Sequence, residues 1–287
     1  MNVKKQYEVL EWAFSFLSRY NREEKIAEIL LQHHLKMSRP AFFANMREII
    51  PASTIEQFAS DIKKHALTGV PVQHLTGYEM FYGRKFSVNK HVLIPRFETE
   101  ELVAHVISLA NNYYNDRQLV IADIGTGSGI IAITLALELP NATVFATDIS
   151  EEALQIAKKN AKKHNVSVQF LQGDFMQPII DSSVNPQIIV SNPPYISEEE
   201  RASLSDTVKN FDPELALFAD NHGLDAYKKI IAQLKQLPPI QSRKICFEIG
   251  FTQSLAVTNM LKQTFSPIKV KTIQDINGLD RIISAHI

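Results

Sequence analysis

Four successive residues, Asn192-Pro193-Pro194-Tyr195, close the apolar run Ile188 to Val190, and three glutamates follow at 198–200. An amide or ring amino nitrogen is a poor nucleophile because its lone pair is delocalised. Chemistry on such a nitrogen calls for acceptors that hold its N–H bonds and aim it. The side-chain oxygen of Asn192 and the backbone carbonyl of Pro193 can be those two acceptors. Proline fixes its own φ and keeps the preceding residue out of the helical region, so both acceptors are held stiffly. Tyr195 can pack flat against a planar amide or base. Asn-Pro also ends strands in plain turns, so these four residues need support from elsewhere in the chain.

That support comes from VIADIGTGSGIIAITLA, residues 120–136, which reads as strand, turn and helix. Gly125, Gly127 and Gly129, with Thr126 and Ser128 between them, allow a tight turn and let a ligand approach where a Cβ would intrude. The helix that follows offers free N–H groups and a positive dipole end. A dinucleotide fingerprint needs glycine at position 130, where this chain has Ile130. Three glycines spaced by two resemble an S-adenosylmethionine turn instead. Asp148 follows the next apolar run, about 20 residues past Gly129, which is where a ribose-binding carboxylate stands in open parallel sheets. Helix capping by Asp148 or Ser150 is the other reading of that position. Asp174 and Phe175 follow a third run and suit contact with an adenine ring, or loop packing. A sulfonium methyl donor is already activated, so alignment and desolvation can supply most of the catalysis. Neither a metal nor a covalent intermediate is called for.

The elements that must position these residues follow from periodicity. Strands are expected at 119–124, 143–147, 167–171, 187–191, 244–249, 268–273 and 281–286, with helices between most of them. This alternation predicts an α/β fold with a seven-stranded, mostly parallel sheet covered on both faces. Residues 275–280 are too few for a crossover helix, so the last strand is expected to be antiparallel. That is the Rossmann-like layout of class I methyltransferases. Residues 1–75 read as a small all-helical domain. Val9, Trp12, Ala13, Phe16, Leu17 and Tyr20 share one helix face, and Ser53-Thr54-Ile55-Glu56 has the form of a capping box that starts a helix ending before Gly69. Residues 76–97 form a linker containing a hairpin, with Phe81–Arg84 and Phe86–Lys90 as its strands. The catalytic domain is then 98–287.

Composition narrows the class further. The chain has 287 residues, 45% of them hydrophobic, which suits two domains and a large core. A net charge of -1 gives no global attraction to nucleic acid or to an anionic membrane. Residues 1–75 carry ten Lys/Arg against eight Asp/Glu, too mild a bias to imply nucleic-acid binding. The single cysteine, Cys246, lies in an apolar run and reads as a buried, inert thiol. The nine histidines have no metal-ligand spacing with it. The start of the chain lacks the apolar core of a signal peptide, and no stretch is long enough to span a membrane. A cytoplasmic monomer is the expectation.

Several stretches together carry a family resemblance. They are PVQHLTGYEMFYGRKFSV (71–88), LIPRFETEELV (93–103), DIGTGSGIIAITLA (123–136), NPPY (192–195), FDPELALFADNHGLDAYKKI (211–230), FEIGF (247–251) and GLDRII (278–283). From about residue 70 to the C-terminus the chain resembles the bacterial peptide-chain release factor glutamine N5-methyltransferases, the HemK/PrmC family. The helical N-terminal part is similar in length and character only. The resemblance implies methyl transfer from S-adenosylmethionine, leaving S-adenosylhomocysteine, to the glutamine of the Gly-Gly-Gln loop of class 1 release factors. It carries cofactor binding onto Gly125, Thr126, Gly127, Ser128, Gly129, Asp148 and Phe175. It places Asn192 between donor and glutamine, with Asn192, Pro193, Pro194 and Tyr195 as the substrate motif. Three positions depart from the family's usual residues: Phe97 for proline, Asp212 for glutamate and Phe175 for a tryptophan that can occur there.

A rival reading is N-methylation of an exocyclic amino group on a DNA or RNA base. Such an enzyme must expose the base and hold nearby phosphates. Residues 196–225 hold eight Asp/Glu against two Lys/Arg, and an acidic rim of that kind repels a phosphate backbone. Arg84, Lys85, Lys90 and Arg96 could form an opposing basic patch, but a solvated face is the reading preferred for those charges. Residues 196–222 are long and polar enough to close as a lid. The N-terminal helices are expected to recognise the release factor away from its small glutamine loop.

Overall fold

The computed structural model describes residues 4–114, 118–240 and 242–287, so the first three residues of the 1–75 segment lie outside the described residues. It separates into two compact units. One runs through Tyr78 and includes Ser205–Phe211, and the other comprises Glu79–Leu204 and Asp212–Ile287.

In the first unit, helices α1 (Gln6–Arg19), α2 (Lys25–Leu35), α3 (Arg39–Ala44), α4 (Ala52–Thr68) and α5 (Val72–Thr76) surround one apolar core. A two-residue antiparallel pairing joins β1 (Lys4–Lys5) to β2 (Ile49–Ile50). On α1, Val9, Ala13 and Leu17 are buried, while Trp12 and Phe16 are half-buried and stacked at 5.6 Å. Tyr20 lies past the helix end, exposed beside Phe16. Helix α4 begins earlier than the capping-box pattern predicts. Pro51 takes the N-cap position with φ -57° and ψ 139°, which leaves Ser53 inside the first turn and its hydroxyl unused as a cap. The short helix α10 (Asp206–Phe211) belongs to this unit although it is distant in sequence. Arg22 donates two hydrogen bonds to Asp206, at 2.9 and 2.6 Å, and the rings of His74 and Phe211 meet edge to face.

The second unit is built on a seven-stranded sheet. Its strands are β5 (Leu119–Ile124), β6 (Ala142–Asp148), β7 (Gln169–Gln172), β8 (Ile188–Ser191), β9 (Lys244–Glu248), β10 (Lys269–Gln274) and β11 (Asp280–His286). They lie in the order β10-β11-β9-β8-β5-β6-β7. Pairings among β5, β6, β7, β8 and β9 are parallel, and β11 runs antiparallel to both its neighbours. The strands match the expected runs to within two residues, which is the usual uncertainty of element ends. Alternation along the strands explains two-sided burial. Ile121, Val144, Ile188, Val190 and Cys246 face one apolar layer with α6 (Phe97–Tyr113) and α7 (Ile130–Glu138). Ala122, Ile124, Ile189, Ile245 and Phe247 face the other. That layer also holds α9 (Gln177–Asp181), α13 (Asp225–Leu234) and α14 (Ser254–Thr264). Helix α8 (Glu151–Lys163) follows β6. Burial pushes the Cys246 thiol up to about 12, so it stays protonated and inert.

The hairpin is shifted from its expected register. Its strands are β3 (Tyr78–Phe81) and β4 (Arg84–Ser87), and Tyr82 and Gly83 form the turn between them. Both turn residues have positive φ, 51° and 71°, as a type I′ turn requires. Phe97, where the family usually has proline, occupies the first position of α6 with its ring exposed, and the helix begins there regardless. Among the described residues no helix is long and apolar enough to cross a membrane.

One buried carboxylate ties the sheet to its first turn. Asp123, fully buried near the end of β5, accepts hydrogen bonds from Thr126 Oγ1 at 2.6 Å and Ala132 N at 3.1 Å. Its other oxygen has no partner, and burial pushes its pKa from 3.8 to about 7. The folded protein therefore holds a proton that the unfolded chain releases between about pH 4 and pH 7. Stability from this group falls as pH rises through that window and is flat above it. Urea unfolding across the window should show this in Asp123→Asn. The variant should lose a slope of up to about 1.4 kcal/mol per pH unit relative to the parent. An unchanged pH dependence would contradict the shift.

Candidate functional site

The parallel register brings the carboxyl ends of four strands into one row. Ile124 pairs with Thr147 on one side and with Ser191 on the other, and Ser191 pairs with Phe247. The next residue on each strand path is Asp148, Gly125, Asn192 or Glu248. Two of these, Gly125 of the glycine turn and Asp148 after the next strand, are residues expected from the sequence to bind cofactor. Asn192 opens the motif expected from the sequence to hold substrate. Glu248 was not expected.

Three members of the row, Asp148, Gly125 and Asn192, border a cavity of about 590 Å³, and Glu248 lies buried behind it. Gly125, Thr126, Gly127, Ser128, Asp148, Phe175, Asn192 and Pro194 all line it. Gly125 (φ 73°) and Gly127 (φ 54°) have no atom within 4 Å of where a Cβ would stand, so both positions leave open space beside the turn. Gly129 does something different. It does not line the cavity, and a Cβ there would stand 2.8 Å from Ile133 Cδ1 and 3.0 Å from Ala157 Cβ. It is a packing glycine that brings α7 close to α8.

Asp148 is half-buried. Its Oδ2 accepts from Gly127 N at 2.8 Å and its Oδ1 from Ser150 N at 2.9 Å. Burial raises its pKa, and the bonds from Ser150 and Gly127 oppose that rise. Ser150 itself caps α8, accepting from Ala153 N at 3.1 Å. Asp148 is thus released from capping, and each of its oxygens keeps a lone pair for a ligand. Phe175 has φ 45°, an uncommon conformation for a bulky residue, and its carbonyl accepts from Thr147 Oγ1 at 2.8 Å. Strain of this kind is held by the surrounding packing and concentrates at functional sites.

The Asn192 amide is fixed from behind. Its Nδ2 donates to Thr99 Oγ1 at 3.1 Å, and Thr99 Oγ1 donates to Glu248 Oε2 at 2.8 Å. Thr99, in the first turn of α6, and Glu248 are both 1% exposed. Burial pushes the Glu248 pKa up to about 7, against the pull of Thr99 and Arg281. Pro193 is buried and Tyr195 half-buried, and neither lines the cavity. The Tyr195 ring packs into the apolar layer that contains Phe247, and its desolvation raises the phenol pKa. Its carbonyl accepts from Gln253 Nε2 at 2.9 Å.

Residues 196–222 are structured rather than loose. Ile196 N donates to Leu217 O and Ala219 N to Ile196 O, which pins the two ends of the excursion together. Between them lie a 3-10 turn at Glu198–Ser203, the helix α10, and α11 (Glu214–Leu217), and α12 (Asp220–Gly223) closes the segment. Much of the acidity seen in the sequence is paired. Arg201 binds Glu198 and Glu214, and Asp206 binds Arg22. The Asp212 side chain, 1% exposed, binds Arg96 at 2.8 Å. Arg84 is likewise engaged with Glu138. Arg22 and Arg96, from outside the segment, offset two of its carboxylates, and two of the four residues that could have formed a basic patch, Arg84 and Arg96, are held in ion pairs.

Sequence reasoning overlooked three polar residues here: Asp123, Thr99 and Glu248. Each lies inside a stretch that carried the family resemblance, and each is a polar group facing a buried position. Their partners lie from 3 to 149 residues away in sequence: the Asp123–Thr126 contact is local to the glycine turn, whereas no local pattern reveals the contacts of Thr99 with Glu248 and Asn192.

Comparison with known proteins agrees with this geometry. Residues 8–77 match the family model described as the PrmC N-terminal domain, and residues 103–211 match the methyltransferase small domain. The chain is 44% identical to the release factor glutamine methyltransferase of Bacillus anthracis, over 98% of this chain and 99% of that one. It is 43% identical to the protein of the same name in Bacillus subtilis, over 99% of both. Among solved structures, the catalytic domain of hMettl16, in complex with a MAT2A 3'UTR hairpin, covers 83% of this chain and 84% of its own. It does so with a TM-score of 0.55 and 14% identity, a likeness of fold alone. A match at this level along nearly the whole chain makes it a member of the release factor glutamine methyltransferase family.

Proposed function

We propose that this protein transfers a methyl group from S-adenosylmethionine to the side-chain amide nitrogen of the glutamine in the Gly-Gly-Gln motif of class 1 release factors. The observation that carries the reading is the row of strand ends. It sets an amide acceptor, Asn192, beside a cavity that also holds the glycine turn and Asp148. The relatives' names supply the substrate.

The residues suit the cofactor. Gly125 and Gly127 leave room for a ligand at the turn, Asp148 retains acceptor capacity for ribose hydroxyls, and Phe175 offers a flat surface for a purine. When bound, S-adenosylmethionine supplies a methyl group already activated by its sulfonium. The protein's own contribution is to hold and desolvate the nucleophile. Asn192 Oδ1 accepts one N–H of the glutamine amide and the Pro193 carbonyl the other. Pro194 keeps both rigid, and Tyr195 braces the motif from the apolar side. Two N–H bonds held in this way direct the nitrogen lone pair at the methyl carbon.

The helical unit is assigned to recognition of the release factor away from its glutamine loop, because a loop of that size offers little specificity. Deleting residues 1–75 would also strip α10 of Arg22 and His74, so a substrate comparison is the cleaner test. Whole release factor should be methylated far more efficiently than a short peptide carrying the same loop. Equal efficiency would remove the recognition role. Mass spectrometry of a release factor after incubation with enzyme and donor should place a single added methyl on the glutamine.

Two substitutions separate the roles at the site. Asn192→Ala should lower turnover by roughly 100- to 1,000-fold, by analogy with loss of one oxyanion donor, while donor affinity changes little. Near-normal turnover would take Asn192 out of the mechanism. Asp148→Ala should instead weaken donor binding, read by calorimetry. Unchanged affinity would contradict the ribose role.

A further inference from the structure

We propose that Glu248, acting through Thr99, is a positioning residue that sets which end of the Asn192 carboxamide faces the substrate. This inference rests on Asn192 being an acceptor for the glutamine amide. A carboxamide is nearly symmetric in shape, and its two ends have opposite chemistry. Only the outward-oxygen orientation can accept an N–H. With the amide turned over, Nδ2 would point a hydrogen at the substrate's own N–H, so the site needs something that distinguishes the two orientations.

The buried row supplies it. A threonine hydroxyl has one proton to give. When Glu248 is ionised it can only accept, so Thr99 must donate to it, as the 2.8 Å contact has it. The lone pairs left on Thr99 Oγ1 can then only accept, and the partner they select is Asn192 Nδ2, at 3.1 Å. Nδ2 is held inward and Oδ1 is turned the other way. The Asn192 amide also favours the charged carboxylate directly. If Glu248 is protonated, its own O–H can donate to Thr99. Thr99 is then free to donate to Asn192, and the inward end becomes Oδ1. The direction of two hydrogen bonds thus follows the charge on one buried carboxylate.

The charge on Glu248 is open to adjustment near neutrality. Its pKa stands at about 7, raised first by burial and also by Glu98 of the α6 first turn, and lowered by Thr99, Arg281 of β11 and Asn192. The other titratable groups facing it are Tyr195 and Tyr227, and the Tyr227 hydroxyl donates to the Glu248 backbone carbonyl at 2.8 Å. Both phenols are raised by burial and stay neutral. The productive orientation is therefore held above about pH 7 and lost below it.

The test is kcat of the full-length enzyme on whole release factor, at saturating donor, on both sides of neutral pH. Saturation isolates this effect from Asp123, whose titration acts on the glycine turn. The parent enzyme should gain turnover as pH rises through about 7. Glu248→Gln should lose that rise, because its amide can turn to serve either orientation, while its donor dissociation constant stays within about twofold. Thr99→Val should lose the rise as well and lower kcat roughly three- to tenfold, the worth of one orienting hydrogen bond. Thr99→Ser should restore both. The relay is overturned if Glu248→Gln keeps the parent pH profile, if Thr99→Ser fails to rescue, or if donor affinity falls in step with kcat. Should Glu248→Gln fold poorly, judged by its circular dichroism and thermal midpoint, the Thr99 pair decides alone. A crippled Asn192→Ala beside a parent-like Thr99→Val would sink the relay only. A parent-like Asn192→Ala would sink the reading beneath it.

Discussion

The in-register parallel pairing of β6, β5, β8 and β9 is the constraint on which the site depends. Parallel strands all end in the same direction, so one row of residues leaves the sheet together. Because Ile124 is level with Thr147 and Ser191, and Ser191 with Phe247, the residues that follow converge without any loop having to reach. A slip of one residue in any pairing would turn a strand's apolar set to the wrong layer. The two-sided core therefore enforces the same register that aligns Asp148, Gly125, Asn192 and Glu248. Core packing and site geometry are one requirement here.

The neighbourhood of that row also concentrates costly groups. Asp123 and Glu248 are carboxylates taken out of water with few compensating partners, and both are pushed to about 7. Phe175 adds a left-handed backbone. The rest of the second unit is ordinary apolar layering, and it absorbs these local penalties. The division fits the general observation that proteins break local rules at functional sites and compensate elsewhere.

The sheet was readable because its strands are short apolar runs separated by helical patterns, which holds from Leu119 to His286. The glycine turn and Asp148 were readable because a glycine-rich strand-to-helix turn followed by an acidic residue at the end of the next strand is a recognisable spacing. Elsewhere local signals competed with tertiary ones. Tyr82 is a poor candidate for positive φ, so an aromatic run masked the turn at Tyr82-Gly83. Ser53 resembles a cap, yet Pro51, with its fixed φ, took the position first. Gly129 shares a motif with Gly125 and Gly127 but serves helix packing, a distinction that needs the neighbouring Ala157 to be seen. The acidity of residues 196–225 was legible as composition, while the arginines that neutralise much of it come from Arg22, Arg96 and Arg201, two of them far away in sequence.

The excursion after Tyr195 returns to its own origin. Ile196 is bonded to Leu217 and Ala219, and Gly223 lies so close to the Tyr195 carbonyl that a Cβ there would collide with it. A segment clasped at its base is insulated at its base. Pro213, Leu215 and Ala216 at the returning end line the same cavity as Asn192, whereas Glu198–Ser203 does not, so an engineer seeking a new protein substrate would insert sequence in that 3-10 turn rather than near the return.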